Sequence, residues 1–181
     1  MFRRRAQRIM RRMTGPDVPV ILQRANQMMA AGDYTNAENT FHKLAQGAEA
    51  RFPQRAPFLY IEAGRAAILS GQKEAGLAHF RRGLTLLAAQ RRFLRMQMLG
   101  QRIADELRAR ALNMEAEMIV NLLNDNLPKE VSSGTSASEK RPTLPTHCPS
   151  CGAAMKADEV EWLDKVSAEC AYCGSPVRGE S

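Results

Sequence analysis

Cysteine is missing from the first 147 residues of this chain, and no stretch of it approaches the roughly 20 consecutive apolar residues that span a bilayer. The first absence leaves most of the chain without thiol chemistry; the second excludes a membrane-spanning helix. Its start, MFRRRAQRIMRRM, lacks the uninterrupted hydrophobic region of about 7 to 15 residues that marks a secretory signal. An intracellular, cytoplasmic protein is therefore expected, in a reducing compartment that disfavours stable disulfides. A mitochondrial targeting peptide would also be rich in arginine and poor in acids, so that alternative stays open. Acids are absent from the first thirteen residues, which hold six arginines (Arg3, Arg4, Arg5, Arg8, Arg11 and Arg12). The other 168 residues carry 20 Lys and Arg against 19 Asp and Glu, so the net charge of +7 belongs to the tail. Also missing is a nucleophile with a base at catalytic spacing; His42 and His79 flank core-type aromatics and read as surface or half-buried side chains. No catalytic residues and no small-molecule substrate are expected.

What is present fits 181 residues of ordinary globular composition, 44% hydrophobic and 25% charged, enough for one domain and a small module. From Asp17 to Leu127 the text is rich in Ala, Leu, Met, Gln, Glu and Arg, with no strand pattern, and predicts helix after helix. Asp17 and Pro19 suit a helix start and Gly32 a left-handed helix end, while TNAE (Thr35 to Glu38) has the form of a capping box. A repeat underlies the segment. Gly32, Ala37 and Phe41 are matched by Gly71, Gly76 and Phe80, then by Ala111, Ala116 and Val120. Small residues let antiparallel helices approach, and the large apolar residue one turn later fills the groove between them, so three helix pairs are expected with Phe41, Phe80 and Val120 buried.

The stretch AAGDYTNAENTFHKL, preceded by Ala25, resembles a tetratricopeptide repeat, with Gly32-Asp33-Tyr34 at the turn, Ala37 at the small position and Phe41 at the aromatic one. It departs from that family in its period of 39 to 40 residues rather than about 34, and in lacking the usual tryptophan and terminal proline. A plain helical bundle is the alternative. The resemblance implies a docking surface lined by the first helix of each pair, with Gln23, Gln27, Glu62, Arg65 and Arg102 as candidate contacts. Charge reversal at Arg65 is expected to leave such a fold intact.

Residues 128–146, rich in Ser, Thr and Pro, read as a flexible linker that lets the two units move independently. Beyond it lie all four cysteines, in CPSCG from Cys148 and CAYCG from Cys170. Two Cys-x2-Cys pairs separated by eighteen residues have the spacing of a tetrahedral thiolate metal site, and Gly152 and Gly174 permit the positive φ that turns backbone N–H groups toward the sulfurs. Between the pairs, EVEWL and VSAE alternate around Asp164-Lys165 and predict a short β-hairpin with Val160, Trp162 and Val166 toward one face. This region resembles a zinc ribbon, which implies Cys148, Cys151, Cys170 and Cys173 as ligands to one structural Zn2+; iron in a rubredoxin-like cage is the rival, and His147 is expected to be a bystander.

The fold class expected is mostly α: an antiparallel helical-hairpin repeat of three pairs plus a small β-type zinc-ribbon module on a flexible linker. The divisions are a basic tail (1–16), the helical domain (17–127), the linker (128–146) and the ribbon (147–178). A non-enzymatic protein-interaction adapter follows, because four thiolates close the coordination sphere. The alternative is a nucleic-acid- or ribosome-associated protein acting through the tail and Arg81, Arg82, Arg91, Arg92, Arg95 and Arg102. Against it, residues 147–181 hold three basic and six acidic residues, a balance that phosphate backbones repel. Phe2, Ala6, Ile9 and Met13 recur at helical spacing, so the tail also suits an anionic membrane surface.

Overall fold

The computed structural model describes residues 20–127, 142–157, 160–163 and 166–179. The arginine tail, the Asp17 cap, most of the predicted linker and the Asp164-Lys165 turn lie outside the described residues. Six helices fill the first part: α1 (Val20–Ala31), α2 (Tyr34–Arg51), α3 (Ala56–Leu69), α4 (Lys73–Ala89), α5 (Phe93–Arg108) and α6 (Asn113–Asn126). They pack as antiparallel neighbours, α1 on α2, α3 on α4 and α5 on α6, and α2 lies as closely on α3 as the members of a pair lie on each other. None is long and apolar enough to cross a membrane.

The repeated positions explain the pairing. Gly32 and Gly71 end α1 and α3 at φ of +79° and +84°. Ala111, in the same place after α5, is held at φ +59°, where an L side chain is strained. Between α3 and α4 the backbones approach through Gly64 and Gly76: a Cβ on Gly64 would sit 2.6 Å from the Phe80 ring, and one on Gly76 2.7 Å from Ile68 Cδ1. Ala37, Phe41, Phe80 and Ala116 are buried as expected. Val120 is not; it is half-buried, and Ile119, three rather than four residues after Ala116, takes the core position.

The capping-box reading of Thr35 to Glu38 is also corrected. The helix begins two residues earlier, after Asp33, whose carboxylate accepts a hydrogen bond from the Asn36 side chain; Thr35 lies inside α2. Glu38 points into the core and meets His79 on α4, so His79 is buried rather than half-exposed.

The C-terminal part carries a three-stranded antiparallel sheet, β1 (Glu161–Trp162), β2 (Ser167–Glu169) and β3 (Pro176–Arg178), in that spatial order. The expected hairpin is β1–β2, with Trp162 opposite Ala168. The third strand has no alternation in the sequence and forms because Val177 pairs with Ala168 and buries beside it. Val160 is buried and Trp162 half-buried, but Val166 is exposed, having fallen in the turn rather than on the packed face. Pro142 and Thr143, from the end of the predicted linker, pack against Gly179, and Thr146 accepts a hydrogen bond from Met155 N–H, so these residues belong structurally to the cysteine module.

Candidate metal centre

Each Cys-x2-Cys segment folds into the same small turn. Gly152 N–H donates to Cys148 C=O and Cys148 N–H to Ala153 C=O; in the second turn Gly174 N–H donates to Cys170 C=O and Cys170 N–H to Ser175 C=O. Gly152 and Gly174 take φ of +76° and +72°, which only glycine adopts without strain, so the positive φ expected of both is observed. Alanine 153, Met155, Val160, Ala168, Tyr172 and Val177 close an apolar shell around the two turns, and the four sulfurs converge inside it.

All four cysteines are buried and none forms a disulfide. Cys148 Sγ lies 3.7 Å from Cys173 Sγ and Cys151 Sγ 3.8 Å from Cys170 Sγ, and all four sulfurs fall within 4.8 Å of one another. A tetrahedron of Zn–S bonds of about 2.3 Å has edges of about 3.8 Å. The donor set thus fits a four-coordinate thiophilic ion in both chemistry and spacing. The thiols hydrogen-bond to one another with opposite consequences: contact with Cys151, and then with Cys170 and Cys173, pulls the Cys148 thiol down, while contact with Cys148 pushes Cys151 up. His147 is exposed and its Nδ1 lies 3.2 Å from the Thr146 hydroxyl; it is not one of the clustered ligands.

The module does not stand apart from the helices, as a freely roaming unit would. Gln23 Nε2 on α1 donates to Ser150 C=O and Asn26 Nδ2 to Cys151 C=O, each at 2.8 Å. On α3, Glu62 accepts from Tyr172 Oη at 2.8 Å and the Phe58 and Tyr172 rings meet edge to face, and the guanidinium of Arg55, just before α3, lies over Gly174. On α5, Glu106 accepts from Lys156 Nζ at 3.4 Å. The module is seated across the first helix of each pair.

Arg65 is the hinge of this seam. Its guanidinium donates to both oxygens of Glu106 at 3.0 and 3.1 Å, and to Glu62 at 2.6 Å, with little solvent exposure. Burial alone would lower the Arg65 pKa, but Glu62, Tyr172 and Glu106 together hold it well above its ordinary value. Burial likewise opposes the ionisation of Glu106, yet Arg65 and Lys156 keep its carboxyl below the usual range. Charge reversal at Arg65 is therefore expected to cost stability rather than to spare the fold: a glutamate there would put three carboxylates together in a largely desolvated place.

The other sequence-predicted contact residues fall on the same seam. Gln27 shares a shallow depression with Gln23, Asn26, His147 and Pro149, and Arg102 one with Gln101, Asp105, Glu106 and Lys156. Between these a cavity of about 300 Å³ has an apolar floor of Met29, Ile68, Phe80 and Ile103 and a charged rim of Glu62, Arg65, Glu106 and Lys156. Asn26, Arg55, Phe58, Glu106, Lys156 and Tyr172 were missed by sequence reasoning. They carry no local signal, since their partners lie on another element. No protein-family model, curated protein or solved structure matches this chain, and the functional reading rests on the geometry above.

Proposed function

We propose that this protein is a non-enzymatic protein-interaction adapter of the cytoplasm, in which a tetratricopeptide-like array and a structural zinc ribbon form one composite docking surface. The observation that carries the reading is the convergence of Gln23, Gln27, Glu62, Arg65 and Arg102 on a single seam where the first helices meet the cysteine module. In that reading Cys148, Cys151, Cys170 and Cys173 hold one Zn2+, whose chemistry is to draw the two turns together; the ion has no open position. Gln23 and Asn26 fix the first turn against α1, and Tyr172, from within the second turn, fixes it against α3. The seam offers a protein partner an apolar slot with a rim of both charge signs, which suits an apolar side chain flanked by polar ones.

Elemental analysis of protein purified without added metal is expected to find zinc in the cysteine site, and thiolate charge-transfer colour from iron would replace that assignment. For the adapter, a photocrosslinking residue placed at Gln27 or Arg102 is expected to capture the same partner from cells, while one at Lys43 on α2 captures none of it. Equal capture at all three positions would move the interface away from the seam.

A further inference from the structure

A second cluster of ligand-type side chains lies between α2 and α4, and the zinc ribbon does not use it. Glu38 and His42 are four residues apart on α2 and so share a face; His79 reaches them from α4, with its Nε2 2.7 Å from Glu38 Oε1. The His42 and His79 rings meet edge to face with centroids 4.6 Å apart, and Tyr60 flanks both. A ligand atom from each of the three residues lies within 4.8 Å of the others. Glu38 and His79 are buried, and His42 is half-buried.

The geometry points to a second metal site, Glu38–His42–His79, for a divalent first-row transition ion of the zinc type. Three arguments support it. Metal–ligand bonds of about 2.0 to 2.2 Å place neighbouring N and O ligands about 3.3 to 3.5 Å apart, so the observed separations need only small side-chain rotations to close on an ion. Two imidazoles and one carboxylate make an intermediate donor set that suits zinc, cobalt, nickel or copper and not magnesium or calcium. A carboxylate and an imidazole buried on facing helices cost desolvation that an apolar pair would not. Their mutual hydrogen bond offsets part of that cost. It does not account for the approach of His42, which among the described residues makes ring contacts and no hydrogen bond. The ion would tie the second helix of the first pair to that of the next, and it would keep at least one coordination position free on the half-buried His42 side. The site is independent of the adapter reading.

The test uses untagged full-length protein with its cysteine site already loaded with zinc. Titration with zinc, followed by calorimetry and by elemental analysis after buffer exchange, is expected to show one additional ion per chain and a rise in thermal midpoint. Cobalt supplied instead should occupy this site without adding thiolate-to-cobalt charge-transfer absorption. His42→Ala should weaken the additional binding by at least ~100-fold, beyond the 10- to 100-fold typical of losing only an outer-sphere partner, while leaving the cysteine-bound zinc in place. Glu38→Gln should do the same if it folds, and His42→Ala decides the matter if it does not. Wild-type protein that takes up no additional ion, or His42→Ala that takes it up as tightly as wild type, would overturn the site.

Discussion

Removing the metal from the cysteine module should unfold the module and leave the helices standing, and the structure sets the magnitudes that decide this. The docking contacts among the described residues include three hydrogen bonds, from Gln23, Asn26 and Tyr172, the Lys156–Glu106 ion pair and the Phe58–Tyr172 ring contact. At ~1 kcal/mol for each amide hydrogen bond, ~2 for the one to a carboxylate and less than ~1 for the partly exposed ion pair, these polar contacts contribute ~3 to 5 kcal/mol, and the aromatic pair adds ~1. A structural zinc contributes about 10 to 16 kcal/mol in small zinc domains. Docking therefore cannot substitute for the ion, and a module this small has too few buried side chains to fold without it. The two parts have separate reporters. The only tryptophan, Trp162, lies in β1, whereas the far-ultraviolet dichroism comes almost wholly from α1 to α6. With a chelator and a reductant present, Trp162 emission should shift red and amides of residues 142–179 should exchange freely, while the helical dichroism changes by little. Cys170→Ser should reproduce this without chelator. If metal-free, reduced protein kept its Trp162 emission and amide protection, the thiolate site would not be what organises the module, and the assignment of a structural ion would fall.

Phe41→Ala should cost ~3 to 5 kcal/mol in urea unfolding, because the ring is wholly buried between helices, whereas Val120→Ala should cost clearly less than Ile119→Ala, reversing the order the repeat implies. Ala111→Gly should stabilise the protein by up to ~1 kcal/mol by relieving the left-handed backbone at φ +59°, and a loss of stability in that variant would contradict the strain. Tyr60 donates to Glu49, which Arg82 also pairs, and burial followed by that bond pushes the phenol up to about 12. Its folded pKa is raised, so its contribution is complete below the unfolded value of about 10 and is lost as pH rises from about 10 through 12. A tyrosinate absorbance step near pH 12 that disappears in Tyr60→Phe would confirm this; the same titration curve in both proteins would refute it. Arg65→Glu should lower stability even without a partner, and a thermal midpoint equal to that of the unaltered protein would refute this.

Much of this molecule was legible in its sequence because the governing interactions are short in range. Helix periodicity, the left-handed ends at Gly32 and Gly71, and the small and aromatic positions Ala37, Phe41, Gly76 and Phe80 are consequences of neighbours within a few residues. The cysteine cluster was legible for the same reason: each Cys-x2-Cys-Gly turn is closed by hydrogen bonds between near neighbours, although the four sulfurs meet only when the two turns pack together. Only the tertiary structure decided the rest. Glu38 has the spacing of a capping residue, but a partner 41 positions away on α4 draws it inward. Arg65 reads as a contact for an outside partner, yet Glu106, also 41 positions away, and a module more than 80 residues further on bury it. The seat of the module on α1 comes from pairings 125 and 127 residues apart, which leave no periodic trace in either segment. Local chemistry determined what the elements are; packing across the chain decided which of their polar residues are partners, and so where the surfaces for recognition lie.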